Sequence, residues 1–243
     1  FIRERLGNVY ILPLCGAAGD QCPLDLVRIS KTNVKTLQAH AAQAGEVFRN
    51  FDMLQECNDI GLRIADAVVR GYNKARNYID TNPIFRHKVL KMSLPIRKVS
   101  YDEYVLAKKQ IEELKSKFTP ENPMKGADMV AAFEPVGVIR RWDLQNNKDS
   151  YECDVHILRI GNISVATNPF ELFCEYGMRI KARTKSEQTF IVQLANGGGG
   201  YLPTKAAIEG GSYSSKPAST MCGPDGGDLL VENTIAAINE LWE

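Results

Sequence analysis

The sequence predicts an α/β protein, or a mixed α+β variant, in which a mixed β-sheet is flanked by long helices. Two observations carry this prediction. Stretches with apolar residues at helical spacing alternate along the chain with stretches in which apolar and polar residues alternate as in strands. In addition, Gly161-Asn162 separates two apolar runs, and this dipeptide is typical of a tight hairpin between antiparallel strands.

The composition excludes several classes of protein. The chain has 243 residues, 44% of them hydrophobic and 24% charged, which allows a large core and excludes a disordered chain. The formal net charge of +1 creates no field that would attract nucleic acid, so no nucleic-acid partner is expected. Charged residues or glycines interrupt every apolar run before about 18 residues, so no transmembrane segment is expected.

The start of the chain and its cysteines bear on its organisation. We expect residues 1–243 to form a single α/β unit. The sequence begins with Phe1 and shows no signal peptide, so we interpret it as a processed chain or a fragment and leave its compartment open.

The cysteines lack C-x-x-C pairs and zinc-finger spacing, and a chain of this length favours buried free thiols over disulfides. They are Cys15, Cys22, Cys57, Cys153, Cys174 and Cys222.

In the first half of the chain, a buried strand is predicted at 8–14, followed by a loop of small residues that ends at Pro23. Helical spacing then predicts two long helices, alternation predicts a strand, and a charged amphipathic pattern predicts a surface helix. The predicted bounds are 33–49 and 58–78 for the long helices, 87–97 for the strand and 101–118 for the surface helix.

In the second half, two prolines within 119–125 indicate a linker or a long excursion. The pattern then predicts a short helix, the hairpin, a helix, a strand, a glycine-rich loop and a closing helix. The predicted bounds are 127–133 for the short helix, 153–160 and 163–167 for the hairpin, 170–183 for the next helix, 189–194 for the strand, 196–200 for the loop, and 228–242 for the closing helix, capped by Asp225 or Asp228.

The loop GAAGDQCP at 16–23 is a candidate active-site loop, because its small residues would let a ligand approach backbone N–H groups. We therefore assign Gly16 and Gly19 to substrate binding. The alternative is a tight turn in which Asp20 caps local amides. Cys22 is a candidate nucleophile, but no histidine lies near it in sequence, and a small buried thiol is the alternative.

The glycine run at 197–200 is not a phosphate loop, because the lysine and serine or threonine of that motif are missing. Four glycines in succession instead predict a close approach of chain to chain or of chain to ligand. Asn196 at the start of the run is assigned to substrate binding. Tyr201 follows the run and would be held at a fixed point, or would be an ordinary half-buried aromatic residue.

The sequence spacing of the acidic residues and histidines does not by itself predict a metal site. Glu171 is predicted in the first turn of a helix, where the macrodipole favours an acidic residue. His40, His87 and His156 have no mutual spacing typical of metal ligands and are interpreted as structural or surface residues.

Three ordered segments, GAAGDQCP at 16–23, NPFELFCEYGMRIK at 168–181 and LANGGGGYLPTKAAIEGGSYSS at 194–215, resemble a known family. They are similar to the C-terminal part of the catalytic domain of the neutral/alkaline (non-lysosomal) ceramidase superfamily. Members of that superfamily are zinc-dependent amidases that cleave N-acyl linkages in sphingolipids. The resemblance implies that the chain is the C-terminal half of a larger catalytic domain and that relatives are exported or periplasmic.

The resemblance implies roles for particular residues. Glu171 and Tyr201 match zinc ligands, and Tyr213 matches a tyrosine that donates to the developing oxyanion. Asp20 matches an acidic residue of the first motif and is assigned to catalysis, where it would orient a partner or hold a loop amide. Cys22 stands where the family has serine. The remaining zinc ligands would be histidines upstream of Phe1.

The implied activity is hydrolysis of a linear amide bond in a small-molecule or lipid-like N-acyl substrate, with Zn²⁺ activating the attacking water. Phe170 replaces a glycine of the family motif and Ser214 replaces a glutamate, so the pocket for the substrate is expected to differ. Two alternatives stay open. One is a metal-free thiol hydrolase that uses Cys22, and the other is a noncatalytic binding or assembly protein that retains the fold.

Overall fold

The computed structural model describes residues 1–22, 53–119 and 121–243. The chain divides into two compact units. The first comprises the described residues of Phe1–Pro13 and Cys22–Asn82, and the second comprises Leu14–Gln21 and those of Pro83–Glu243. The helix predicted at 33–49 lies outside the described residues. The expectation of a single α/β unit over residues 1–243 stays a prediction.

The first unit contains two described helices, α1 at Ile2–Leu6 and α2 at Met53–Ala75. The Phe1 ring lies against Gly61 of α2, and Arg5 forms an ion pair with Asp66. These contacts join the short helix to the long one. Helix α2 corresponds to the helix predicted at 58–78, with both ends nearer the N-terminus.

The prediction of a strand at 8–14 is wrong, because these residues do not have strand conformation. Tyr10 and Leu12 in this segment are exposed, so the apolar run is not buried. A strand needs a neighbouring strand to satisfy its backbone N–H and C=O groups. Within the described part of the chain, this segment belongs to neither sheet.

The second unit contains six strands, five α-helices and a short 3₁₀ turn among its described residues. The strands are β1 Phe85–Pro95, β2 Ser150–Ile160, β3 Ile163–Thr167, β4 Glu171–Leu172, β5 Gln188–Val192 and β6 Tyr201–Leu202. The helices are α3 Tyr101–Lys115, α4 Gly126–Gln145, α5 Cys174–Arg183, α6 Lys205–Gly210 and α7 Pro224–Glu240, and the 3₁₀ turn is Tyr213–Ser215.

The main sheet is mixed, as predicted, with strand order β1-β2-β3-β5. Strand β2 pairs antiparallel with both β1 and β3, whereas β3 and β5 are parallel. The hairpin between β2 and β3 is confirmed: Ile160 pairs with Ile163, and Gly161 has φ +59°. A positive φ of this kind is the reason for glycine in a two-residue hairpin turn. The parallel pair β4–β6 forms a separate small sheet.

The core of the second unit lies between the main sheet and helices α5 and α7, which confirms an α/β arrangement with helices on the sheet. Alternate residues of β1 and β2 point into it, as the period of a strand requires. Its largest fully buried side chains include Leu94, Ile157, Tyr176, Leu230 and Ile238.

Three predicted helix bounds are corrected. Helix α4 extends from Gly126 to Gln145 although Pro135 lies inside it, because its buried face packs on α3 through Val138 and Ala107. Helix α7 starts at Pro224 with Gly223 at its N-cap, so neither Asp225 nor Asp228 caps it. The helix predicted at 170–183 begins only at Cys174.

All six cysteines are free, as expected, but only Cys153 and Cys222 are buried. Burial raises the pKa of Cys153 to about 11 and that of Cys222 to about 12. The thiols of Cys15, Cys22 and Cys57 are exposed, so their predicted burial is wrong. Among the described helices, none has the length and apolar character that crossing a membrane requires.

Candidate active site

The parallel pair β4–β6 brings Glu171 and Tyr201 together, although thirty positions separate them in the sequence. Glu171 is the register partner of Tyr201, and Leu172 is the partner of Leu202. Both leucines are completely buried. Because successive side chains of a strand point to opposite faces, Glu171 and Tyr201 lie together on the face opposite the two buried leucines.

The phenol of Tyr201 is hydrogen-bonded to a second phenol. Its hydroxyl group contacts the hydroxyl of Tyr213, in the 3₁₀ turn, and the two rings meet edge to face with centroids 5.5 Å apart. Tyr213 is 61% exposed, whereas Tyr201 is half-buried. The site is therefore a carboxylate and two phenols with one side open to solvent.

The neighbours of Tyr201 raise its pKa well above the ordinary value. The largest cause is the hydrogen bond with Tyr213, followed by burial and by hydrogen bonding to the Glu171 carboxylate. The negative charge of Glu171 acts in the same direction, since it disfavours a phenolate beside it. With these neighbours alone, Tyr201 keeps its proton and acts as a hydrogen-bond donor near neutral pH.

The loop at Leu14–Gln21 packs directly behind β4. The N–H of Gly19 donates to the carbonyl of Leu172 at 2.8 Å, and a Cβ atom on Gly19 would overlap the carbonyl of Glu171. Oδ1 of Asp20 accepts from the N–H of Cys174 at 2.8 Å, at the first residue of α5. Gly19 thus fits a close approach of two chain segments, and Asp20 caps a helix far away in sequence.

Gln193 is a site residue that sequence reasoning missed. Its Oε1 accepts from the N–H of Leu172 at 2.9 Å and from the N–H of Ala18 at 3.2 Å, and its Nε2 contacts Cys15 Sγ at 3.3 Å. The side chain is 93% buried, since 7% of its surface is exposed. A glutamine directly after an apolar strand was the available signal, because a buried amide needs several partners.

The glycine run approaches other chain segments closely, as one of the two sequence interpretations predicted. Gly199 lies on the ring of Phe170, with no room for a Cβ atom, and Gly200 has φ +65° and lies against the carbonyl of Ser219. Phe170 is completely buried. The ring of Phe170 therefore packs beneath the glycine loop and becomes part of the core beside Glu171.

The remaining predicted site residues lie in several places. Gly16 and Asn196 are exposed, and the Asn196 amide is 3.5 Å from Thr167 Oγ1. Cys22 belongs to the first unit and is exposed. The substrate-binding and catalytic roles assigned to these three residues stay predictions, as do those of Gly19 and Asp20.

The predicted place of Glu171 in the first turn of a helix is wrong. Glu171 lies in β4, three residues before the start of α5, because backbone pairing with β6 and burial of Leu172 and Phe173 extend this segment. The N–H of Glu171 donates to the carbonyl of Gly200 at 2.9 Å. The helix macrodipole therefore does not explain the position of the Glu171 carboxylate.

Two oxygen atoms of types that can bind a metal lie together at the site. Glu171 and Tyr201 offer two oxygen donors, whereas a catalytic zinc site usually has three protein ligands and an open position. Within the part of the chain that the structure describes, no three His, Cys, Asp or Glu residues converge. His87 and His156 stack on each other across β1 and β2, with Nε2 and Nδ1 3.0 Å apart, and His40 lies outside the described residues.

Comparisons with known proteins give partial structural matches. No family model and no curated protein matches the chain. A neutral ceramidase from Pseudomonas aeruginosa aligns with a TM-score of 0.40 and 16% identity, over 65% of this chain and 28% of that chain. A ceramidase complexed with C2 aligns with a TM-score of 0.38 and 12% identity, over 66% of this chain and 30% of that chain. This chain thus spans less than a third of the length of either.

Proposed function

We propose that this chain is part of a ceramidase-like hydrolase that cleaves the linear amide bond of a lipid-like N-acyl substrate. The observation that carries the proposal is the convergence of Glu171, Tyr201 and Tyr213 on the solvent-facing side of β4–β6. For these three residues, the resembling sequence segments imply zinc binding or stabilisation of the oxyanion. Their convergence supports that interpretation over one in which each residue has a separate structural role.

Glu171 and Tyr201 would hold a zinc ion together with histidine ligands from outside the described residues. Bound there, zinc would supply Lewis acidity and lower the pKa of a water molecule toward ~7. Tyr201 would then serve as a phenolate ligand, because a bound cation would stabilise the phenolate by more than the Glu171 carboxylate destabilises it.

Tyr213 would stabilise the negative charge that develops on the substrate carbonyl oxygen. Its hydroxyl lies beside that of Tyr201 at the exposed side of the site, so it can donate to an oxygen that enters from solvent. Loss of one such donor costs about 10²- to 10³-fold in kcat in well-studied hydrolases.

The decisive experiment measures zinc content and N-acyl hydrolysis in the full-length natural protein and in three variants. Glu171→Gln and Tyr201→Phe should each lower zinc content and activity together, whereas Tyr213→Phe should lower kcat by about 10²- to 10³-fold and keep the metal. Glu175→Gln and Tyr101→Phe alter exposed side chains of the same types and serve as controls. Zinc and full hydrolysis in both the Glu171 and the Tyr201 variants would refute the proposal.

The same preparation separates the two alternatives. A thiol hydrolase would lose activity in Cys22→Ala and would tolerate a chelator, because its nucleophile is the thiol and not a metal-activated water. A noncatalytic binding protein would contain no zinc and hydrolyse no N-acyl substrate before any substitution. The proposed hydrolase should instead be inhibited by the chelator and be active in Cys22→Ala.

A further inference from the structure

An apolar groove with two arginines lies on the second unit, and its lining residues do not include Glu171, Tyr201 or Tyr213. Its volume is about 520 Å³, within the range of small-molecule sites, and helix α4 forms one wall. Apolar side chains from α4 and the segment 217–221 line it, among them Met129, Phe133, Leu144 and Met221. Met129 and Phe133 are largely exposed, which is costly for side chains that stay uncovered.

Arg141 lines this groove and is 92% buried, with 8% of its surface exposed. Among the described residues, the acceptors that its guanidinium group meets are neutral: Nη2 donates to the carbonyl of Thr220, and Nη1 contacts Met221 Sδ at 3.0 Å. Its Nε has no hydrogen-bond partner among the described residues. A buried donor on a cation that lacks a partner is expensive, and an anion in the groove would supply one.

Further positive charge surrounds this guanidinium. Arg97 donates to the Thr220 hydroxyl at 3.1 Å, so the half-buried Arg97 and the buried Arg141 contact the same threonine. Burial lowers the pKa of Arg141, with Cys222 acting in the opposite direction and the nearby charge of Arg97 lowering it further. Arg140 also lines the groove, is exposed, and forms no ion pair with any described residue. The groove's lining includes two arginines and no acidic side chain among the residues that the structure describes.

We infer that the groove binds a long-chain fatty acid, with its alkyl chain against α4 and its carboxylate on Arg141 and Arg140. The apolar lining suits the chain, and the planar guanidinium suits a carboxylate. A carboxylate is favoured over a phosphate because its single negative charge costs less to bury against an apolar lining than a double charge, and one acceptor oxygen is enough to partner the Nε of Arg141. The inference rests on the groove alone and stands whether or not the chain is part of a hydrolase.

The test is a binding titration of the full chain with three ligands of one length: myristate, 1-tetradecanol and tetradecyl phosphate, each below its aggregation concentration. Myristate should bind saturably at one site and about tenfold more tightly than the alcohol, because a charge-assisted hydrogen bond is stronger than a neutral one. Equal affinities for acid and alcohol, or tighter binding of the phosphate, would overturn the inference.

Variants locate the site. Ala132→Phe fills the groove from α4 and should abolish myristate binding, and Arg140→Gln should weaken it several-fold. Arg70→Gln removes an exposed arginine from α2 of the first unit and should leave the affinity unchanged. Arg141→Lys tests the buried guanidinium directly, and if it fails to fold, the two surface-accessible variants still decide the result.

The remaining outcomes also decide the question. Unchanged myristate affinity in Ala132→Phe would place any fatty acid elsewhere and contradict the inference. Sedimentation of the ligand-free protein tests whether a second copy of the chain covers the groove. Dimerisation that is lost in Ala132→Phe would assign the groove to that contact and overturn fatty-acid binding.

Discussion

The main sheet and the β4–β6 pair are held by different means. The main sheet has strands of 5 to 11 residues whose side chains alternate between core and surface. Strands β4 and β6 have two residues each, and close backbone approaches at Gly19 and Gly200 and the buried amide of Gln193 keep them in place. Long periodic strands thus form the scaffold, and a short aperiodic pair carries the candidate site.

The substitution with the largest expected effect tests whether the β4–β6 pair is as firmly anchored in the core as the main sheet. Leu172→Ala in β4 should destabilise the protein by about 2–5 kcal/mol, the same range expected for Leu94→Ala in β1, because both leucines are completely buried. Denaturant unfolding measures both. Leu229→Ala removes an exposed leucine from α7 and should change stability little.

A cost for Leu172→Ala near that of Leu229→Ala would contradict this view. In that case the β4–β6 pair would be a loosely attached surface element, and the convergence of Glu171 and Tyr201 would have no firm support from the core.

The next effect tests the close approach behind Glu171. Gly19→Ala should cost about 1–3 kcal/mol, because the new methyl group overlaps the Glu171 carbonyl and backbone must shift to admit it. Gly198→Ala is the matched control, since no atom lies within 4 Å of a Cβ atom at Gly198. Thermal or denaturant unfolding of the two variants gives the difference, and equal stabilities would contradict the packing described.

The smallest effect tests the cap on α5. Asp20→Ala should cost about 0.5–2 kcal/mol, because the N–H of Cys174 loses its acceptor at the start of the helix. Asp225→Ala at the start of α7 should cost less, because Asp225 is not the N-cap of its helix. A larger loss for Asp225→Ala would show that the charge near the helix end, and not the hydrogen bond, stabilises these helices.

The sequence predicted the scaffold better than the site. Alternation placed β1, β2, β3 and β5, and Gly161-Asn162 fixed the hairpin, because strand period and turn chemistry are local properties. For residues 8–14 the same reasoning gave a wrong prediction. A strand also needs a neighbouring strand to pair with, and a local sequence pattern does not show whether one is there. The predicted length of helix α4 was too short because a proline such as Pro135 usually ends a helix. In this protein, packing on α3 stabilises the helix on both sides of Pro135.

At the site, the sequence selected Glu171, Tyr201 and Tyr213 through resemblance and not through pattern. Two-residue strands produce no periodicity, so the pairing of β4 with β6 was not visible. The glycine run did predict a close approach but not its partners, Phe170 and Ser219. Gln193 was missed because its place directly after an apolar strand indicates burial but not its partners, and those N–H groups are brought together only by folding.

The amide of Gln193 makes distant parts of the second unit open together. It accepts from Ala18 and Leu172, two residues 154 positions apart. If Gln193 is displaced, both N–H groups lose their acceptor at the same time. Their hydrogen-exchange rates in the native protein should therefore rise in parallel as denaturant is added, which reports that the loop at Leu14–Gln21 and β4 belong to one cooperative unit.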